Sequence, residues 1–153
     1  MRQNDFKIRK AIITDANGIL ACAESAYQQY ISIIGKKPGP MLDDYSQIVL
    51  QHQVFVVEAN EVIAGVLVLI QKDDRILLDN VAVHTDFRGR GVGSKLVRFA
   101  EVEVLRQGYD SLELYTHELM TGNYHAYLKL GYIEIERREE KGYARIYMQK
   151  KLK

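Results

Sequence analysis

The chain has little of what marks several large classes of protein. Its single cysteine, Cys22, cannot form an internal disulfide, which fits a reducing compartment. The longest apolar run covers residues 62–70, far short of the ~20 residues that a membrane-spanning helix needs. The first five residues lack the apolar region of a signal peptide. A formal net charge of +1 gives no basis for a general affinity for nucleic acid or membranes. We therefore expect a cytoplasmic protein with neither kind of partner.

The composition is that of an ordinary globular domain. The 153 residues are 47% hydrophobic and 27% charged, which is enough to bury one sizeable core. No internal repeat, linker or low-complexity segment interrupts them, so residues 1–153 are predicted to form a single domain. The four histidines show no paired ligand spacing, and no metal cofactor is expected.

Hydrophobic periodicity and turn residues predict the order of elements. Strands are predicted over residues 6–13, 54–57, 62–70, 76–83, 112–115, 132–136 and 143–148. Helices are predicted from an N-cap at Thr14–Asp15 to Gly35, over 41–51, from Gly91 to Gly108 and from 121 to Gly131. Because hairpins alternate with crossover helices, this order predicts an α/β (α+β) fold with a mixed sheet covered by helices.

The most informative stretch is the predicted strand at 76–83 together with the glycine-rich segment and helix that follow it. Apolar residues at Val92, Leu96 and Ala100 recur at the spacing of one helical face. Glycines let an anion approach the backbone, and the first N–H groups of a helix are unpaired donors with partial positive charge. The stretch therefore predicts a phosphate-binding cradle. The alternative is a turn without a ligand.

Two familiar phosphate motifs do not fit this segment, but a third does. No G-K-[ST] follows as in a Walker motif, and the alternating glycines do not match G-x-G-x-x-G. Arg88, Gly91 and Gly93 instead form R-x-x-G-x-G. This pattern resembles the coenzyme A pyrophosphate loop of the GNAT acetyltransferase superfamily.

A second motif strengthens the resemblance. Residues 120–132 read M-T-G-N-Y-H-A-Y-L-K-L-G-Y. They resemble the GNAT segment in which an Asn precedes a helix and a Tyr lies four residues before a Gly-aromatic pair. These positions are Asn123, Tyr127, Gly131 and Tyr132. Both motifs occur in the family's order, and the order of elements resembles the GNAT fold across essentially the whole chain.

The resemblance implies a fold, a co-substrate and a set of binding residues. It implies a GNAT-like mixed, mostly antiparallel sheet of six to seven strands flanked by about four helices. It also implies acetyl-CoA as co-substrate, with no metal, and a strand 76–83 whose free backbone pairs with the cofactor arm. Asn123 would contact that arm, although an ordinary helix N-cap explains it equally well. The implied cofactor-binding residues are Val81, Ala82, Val83, Arg88, Gly89, Arg90, Gly91, Val92, Gly93, Ser94, Asn123 and Tyr127.

Acetyl transfer to an amine requires the amine to lose a proton. For an amine of pKa ~10.4 this costs roughly 4–5 kcal/mol at pH 7, which a carboxylate or a water chain can offset. Asp79 is our candidate base because it shares the side-chain parity of Val81 and Val83. Glu58 and His84 are weaker candidates, and an aspartate at a strand end can equally cap a turn.

The leaving thiolate requires a proton, and Tyr127 is the candidate acid. Its ordinary pKa of ~10 against ~8.5 for a thiol makes the transfer uphill by about 1.5 units, or roughly 2 kcal/mol. The alternative is a core aromatic, since Tyr124 and Tyr127 are spaced i, i+3. Neither Cys22 nor Ser25 has a recognisable nucleophile context, so we expect direct attack in a ternary complex.

The predicted function is therefore acetyl-CoA-dependent N-acetyltransfer to a primary amine of a small molecule or peptide. An alternative is a non-catalytic acetyl-CoA-binding sensor module of the same fold, and a third candidate, nucleic-acid binding, lacks a basic stripe. A possible homodimer follows by resemblance alone. The candidate acceptor residues lie on the first two predicted helices and their loop: Tyr27, Tyr30, Met41, Asp44 and Tyr45.

Overall fold

A computed structural model describes residues 6–153, in which seven strands form one mixed sheet. The first five residues, on which the prediction of no signal peptide rests, lie outside this range. The strands are β1 (Ile8–Lys10), β2 (Gln53–Ala59), β3 (Val62–Gln71), β4 (Ile76–Val83), β5 (Ser111–His117), β6 (Ile133–Glu140) and β7 (Tyr143–Lys151). Their order in the sheet is β1-β2-β3-β4-β5-β7-β6, with β4 and β5 parallel and the other pairs antiparallel. The predicted mixed, mostly antiparallel sheet is confirmed.

Helices cover both faces of this sheet. They are α1 (Ala16–Tyr27), the single turn α2 (Ile31–Ile34), α3 (Tyr45–Gln51), α4 (Val92–Arg106) and α5 (Thr121–Lys129). Helices α1 and α3 bury one apolar cluster against the sheet, and α4 and α5 pack on a second cluster on the opposite face. None of the helices within residues 6–153 has the length and hydropathy of a membrane span.

The approach of α4 to the sheet depends on one glycine of β3. A Cβ atom built on Gly65 would lie 2.8 Å from Val92 Cγ1 and 3.0 Å from Leu96 Cδ1, both of which belong to α4. Val92 and Leu96 are almost fully buried, and burying each such side chain contributes roughly 1.5–3 kcal/mol. The missing side chain at Gly65 thus lets the start of α4 pack directly onto β3 and β4.

Strand β4 pairs with β3 along its length but with β5 only at its beginning. Its parallel pairing to β5 consists of Leu77 with Glu113 and Leu78 with Leu114. The register against β3 shifts between Leu78 and Asn80, so Asp79 is an extra residue in a β-bulge. Bulges bend a strand and end regular pairing. Beyond the bulge, β4 and β5 separate, and within the described residues no strand pairs with the β5-facing edge of β4.

The first predicted strand and helix differ from the structure at their junction. Strand β1 is three residues long because pairing to β2 ends at Lys10, and Ile12 leads into a short 3-10 turn over Ile13–Asp15. Asp15 is the N-cap residue of α1, as predicted, but its side chain makes no cap hydrogen bond to this helix. Its carboxylate instead binds Arg9 at 2.8 Å and accepts a hydrogen bond from the Ile12 amide.

Three other predicted elements also differ in part from the structure. The first predicted helix ends at Gly35 as expected, in the left-handed conformation, but a 3-10 segment over Gln28–Tyr30 interrupts it. The second begins at Tyr45 and not at residue 41, because Asp44 is its N-cap and accepts from the amides of the first turn. Strand β6 extends to Glu140 through residues predicted as a charged turn.

Candidate active site

The glycine-rich segment forms the start of α4, where several amides have no backbone partner within residues 6–153. Gly91 is the N-cap residue and has a φ of 79°, a left-handed conformation that favours glycine. The Lys95 amide bonds to the Gly91 carbonyl at 3.0 Å, and the amides of Val92, Gly93 and Ser94 precede this first helical bond. Three donors at the positive end of a helix dipole form a site that suits a phosphate. We call residues 88–94 the cradle.

A long cleft of about 490 Å³ runs from the cradle between β4, the end of α1 and α5. We call it the cradle cleft. Arg90 is not among its lining residues, and its guanidinium lies over the Phe87 ring at 5.5 Å. The cleft is lined by the other predicted cofactor-binding residues, namely Val81, Ala82, Val83, Arg88, Gly89, Gly91, Val92, Gly93, Ser94, Asn123 and Tyr127.

Arg88 at the start of the cradle and Gly93 near its end can both accommodate an anion. Arg88 Nη2 donates to the Ala26 carbonyl in the last turn of α1 at 3.2 Å, and a guanidinium has further donors for a phosphate. A Cβ atom on Gly93 would lie 3.5 Å from Val83 Cγ2, which is ordinary contact. The backbone at Gly93 is therefore exposed to the cleft, and the methyl group of an alanine at this position would cover it.

A second, narrow pocket of about 50 Å³ lies where β4 and β5 separate. We call it the inner pocket. Tyr27, Val81, Asn123 and Tyr127 line both cavities, so the two meet at these residues. Thr116 also lines the inner pocket, and its buried Oγ1 has no hydrogen-bond partner within residues 6–153. An unpaired buried hydroxyl is costly, and a water molecule or a polar ligand atom would relieve this cost.

Tyr127 lies at the junction of the two cavities with its hydroxyl free. Its ring packs edge-on against Tyr132 with centroids 6.1 Å apart. Its hydroxyl makes no hydrogen bond to any residue in the described part of the chain, and burial raises the pKa of Tyr127 to about 12. Proton transfer to a thiolate of pKa ~8.5 is then uphill by about 3.5 units, roughly 5 kcal/mol, more than the sequence predicts.

Asn123 is the third residue of α5, and Met120 is the N-cap. The alternative that Asn123 is an ordinary N-cap is therefore wrong. Its amide nitrogen has a weak contact at 3.6 Å with Met120 Sδ, which leaves hydrogen-bonding capacity toward the cavities that it lines.

Asp79 lies at the bulge and lines the inner pocket. From Asp79 to Val83 half-buried and buried residues alternate, in agreement with the predicted parity of Asp79, Val81 and Val83. Asp79 Oδ1 accepts a hydrogen bond of 2.8 Å from the Tyr115 hydroxyl. Burial, together with the Asp79 charge, raises the pKa of Tyr115. Burial and the same charge also raise the pKa of Asp43.

The two weaker candidate bases lie elsewhere. Glu58 pairs with Arg9 at 3.2 Å, and His84 Nδ1 accepts from the Asp86 amide at 3.1 Å. Neither residue lines the cradle cleft or the inner pocket.

The predicted acceptor residues are spread over different surroundings. Tyr27 lines the inner pocket, where its hydroxyl lies 2.6 Å from Asn80 Oδ1 and 3.0 Å from the Val81 carbonyl. Tyr30 lines the cradle cleft. The remaining three do not line either cavity, since Met41 and Tyr45 are buried in the core and Asp44 caps α3.

The structure places other residues at the inner pocket that the sequence does not single out: His117 on β5, and Tyr143 and Arg145 on β7. His117 and Arg145 are direct partners across the two strands. Burial lowers the pKa of His117, and its Nδ1 accepts from the Leu119 amide at 3.0 Å. A neutral His117 thus carries its proton on Nε2, so it acts as a donor and not as a base. Only strand register reveals this grouping.

Neither Cys22 nor Ser25 has the surroundings of an activated nucleophile. Burial raises the pKa of the Cys22 thiol to about 12, so the thiol keeps its proton at neutral pH. Ser25 Oγ lies 2.8 Å from Thr85 Oγ1 and accepts from the Thr85 amide. Among residues 6–153, no three His, Cys, Asp or Glu side chains group together as a metal site would require.

Comparison with known proteins identifies the class of protein that this fold and cradle define. Residues 20–132 match the model of the acetyltransferase (GNAT) family. The chain belongs to the GNAT acetyltransferase family. No curated protein matches the sequence.

Solved structures with a similar fold cover almost the whole chain. PaiA N-acetyltransferase from Thermoplasma acidophilum, in complex with coenzyme A, is 17% identical over 95% of this chain and 98% of its own, with a TM-score of 0.77. A GNAT family acetyltransferase from Elizabethkingia anophelis with acetyl-CoA bound is 18% identical over 97% and 99%, with a TM-score of 0.72. The ribosomal-protein-S18-alanine N-acetyltransferase from Escherichia coli is 17% identical over 95% and 93%, also with a TM-score of 0.72. At these identities the likeness concerns the fold.

Proposed function

We propose that this protein transfers the acetyl group of acetyl-CoA to a primary amine by direct attack in a ternary complex. The observation that carries the proposal is the meeting of the cradle cleft and the inner pocket at Val81, Asn123 and Tyr127. Two substrates entering from the two cavities would bring their reactive ends together at this junction, and such positioning is a large part of catalysis.

The residues of the cradle cleft suit the binding of coenzyme A. The unpaired amides of Val92, Gly93 and Ser94 would hold the pyrophosphate, and Arg88 would add a charged contact. The free edge of β4 at Val81 and Val83 would pair with the amide groups of the pantetheine arm. Asn123, with its amide almost unused, would fix the arm near Tyr127.

The reaction moves two protons and exchanges one bond for another. The amine nitrogen forms a bond to the acetyl carbon while the carbon–sulfur bond breaks. Asp79, directly or through water, takes the proton that the amine loses, and Tyr127 gives a proton to the departing sulfur. Because burial raises the pKa of Tyr127 to about 12, its proton moves as the carbon–sulfur bond breaks and not before.

Several observations favour an enzyme over an acetyl-CoA sensor. A sensor needs the cradle cleft alone, whereas here the carboxylate of Asp79 lines a second pocket that shares lining residues with the cleft. The decisive test is the release of free thiol from acetyl-CoA in the presence of a panel of primary amines. Amine-dependent release supports the enzyme, and tight binding of acetyl-CoA without release from any amine supports the sensor. A cytoplasmic location and a homodimer stay predictions.

A further inference from the structure

Arg145 is a half-buried cation at the inner pocket, and no acidic partner in the described chain pairs with it closely. Its side chain is 15% exposed, and the nearest carboxylate oxygen in the described chain is Glu140 Oε1 at 3.9 Å. That carboxylate is shared, since Glu140 also accepts from the Tyr147 hydroxyl and lies 3.8 Å from Arg138. By contrast, the N–O distances in the ion pairs of Arg9, Arg75, Arg106 and Arg137 are 2.5–2.8 Å.

Aromatic rings hold the Arg145 guanidinium in position. Its Cζ lies 4.3 Å from the centroid of the Tyr115 ring and 5.9 Å from that of Tyr143. Stacking on aromatic rings stabilises a guanidinium while leaving its in-plane N–H donors free. Within residues 6–153, no hydrogen bond of 3.5 Å or less with regular geometry uses these donors, and a looser contact from Arg145 opposes the rise in the pKa of Tyr147 that burial causes. The guanidinium fork matches a carboxylate.

A second cation lies beside the same group of rings. Lys36 Nζ is 4.3 Å from the centroid of the Tyr143 ring and donates to the Gly142 carbonyl at 2.7 Å. The Tyr143 hydroxyl in turn donates to the Lys37 carbonyl at 2.5 Å, which ties β7 to the loop that covers the pocket. Arg145 and Lys36 also contribute to the lowered pKa of His117, as expected for a positive field at this end of the pocket.

The opposite end of the inner pocket is acidic. Tyr115 contacts both ends, because its hydroxyl donates to Asp79 while its ring face carries Arg145. The Asp79 carboxylate and the Arg145 guanidinium thus contact the same Tyr115 side chain, one at its hydroxyl and the other at its ring face. Asp79 is two residues along β4 from Val81, which lines both cavities.

We propose that the acceptor is an amine that carries a carboxylate, as in an amino acid. Arg145, assisted by Lys36, binds the carboxylate, and Asp79 receives the ammonium group at the end where the acetyl group arrives. A fixed cation beside a fixed anion favours a ligand with the opposite pair of charges and rejects one with two like charges. This inference rests on the proposed acetyltransfer and names the class of acceptor for it.

The test compares matched acceptors that differ in one charge. Each L-amino acid of a panel is assayed beside its carboxamide, with acetyl-CoA saturating and free thiol as the readout. The wild-type protein should prefer the acids in kcat/KM by roughly 10–100-fold, the range for a hydrogen bond to a charged group. Arg145→Gln should lose this preference and keep the rate with the carboxamides, and Arg145→Lys should restore part of it.

A control variant and the choice of acceptors distinguish failure of this inference from failure of the proposed acetyltransfer. Arg106→Gln removes an exposed arginine from the end of α4 and should leave the preference intact. Equal use of acids and carboxamides by the wild type overturns the inference. Transfer to carboxamides alone, or a stronger preference for amines bearing a phosphate monoester, also overturns it and leaves the proposed acetyltransfer standing. Absence of transfer to any amine overturns both.

Discussion

The change Tyr127→Phe separates a catalytic hydroxyl from a core aromatic. It removes one oxygen that makes no hydrogen bond within the described chain, and it keeps the ring that packs on Tyr132. No partner is left unpaired, so the free energy of unfolding should change by less than about 1 kcal/mol. Loss of activity in this variant would therefore not reflect loss of fold.

The expected loss follows from the proton that the thiolate needs. With the pKa of Tyr127 raised to about 12, complete transfer to a free thiolate would be uphill by roughly 5 kcal/mol. The hydroxyl contributes by sharing its proton while sulfur charge develops, and positioned general acids give ~10²–10⁴-fold. We expect the single-turnover rate to fall by about 10²-fold or more, with the affinity for acetyl-CoA nearly unchanged.

Rapid-quench single-turnover measurements with the best acceptor test this expectation free of product release. The rate of the wild type should not decline between pH 8 and about pH 10, because Tyr127 keeps its proton in this range. Tyr124→Phe is the matched control, since its hydroxyl only contacts exposed Glu134 at 3.1 Å. A fall of less than about threefold in the Tyr127 variant, well below the general-acid range, would refute the role.

Four further perturbations follow from the same geometry. Gly93→Ala should keep the fold, because the added Cβ would lie at an ordinary van der Waals distance from Val83. It should weaken acetyl-CoA binding at least tenfold, or roughly 1.4 kcal/mol, as measured by calorimetry. Unchanged affinity would contradict the assignment of the cradle as the phosphate site. Gly91→Val is a poorer test, since a φ of 79° strains valine. Asp79→Asn should lower turnover by ~10²-fold while the Tyr115 hydrogen bond persists, and normal turnover would assign the base to water. Burial lowers the pKa of His117, so its contribution to the free energy of unfolding should be complete above about pH 6.5 and should decrease at lower pH, where the unfolded chain binds the proton. The melting temperature of His117→Gln should therefore fall less steeply with decreasing pH than that of the wild type, and an equally steep fall would count against this role. Gly65→Ala should cost ~1–3 kcal/mol in urea unfolding, because its Cβ would lie 2.8 Å from Val92.

The parts of the fold that the sequence predicts well are those encoded locally. The sequence predicts strand β4 over 76–83 and the structure has it at Ile76–Val83, because a charged turn precedes a mainly aliphatic and β-branched segment. Helix α4 likewise lies between Gly91 and Gly108, whose positive φ angles end the regular backbone on either side. In both elements the local preferences and the buried positions agree.

The parts that the sequence does not predict depend on register between distant segments. The bulge at Asp79 exists because β3 and β4 pair out of step there, which no local pattern records. Strand β6 continues through Arg137 and Glu140 because β7 pairs with it, although its composition indicates a turn. The grouping of His117 with Arg145 likewise follows from the alignment of β5 with β7.

The separation of β4 from β5 has a consequence for how two ligands affect each other's binding. Two residue pairs are all the strand pairing that joins the β1–β4 half of the described sheet to the β5–β7 half. The inner pocket takes its walls from both halves, with Asp79 on one and Arg145 on the other. An extended ligand lying in the gap would give β4 the neighbour that it lacks and set the distance between the halves. We therefore expect the affinity for the acceptor to depend on whether the gap is filled, and the reverse to the same degree. This coupling would arise from the spacing between the two halves of the sheet and would not depend on any one side chain.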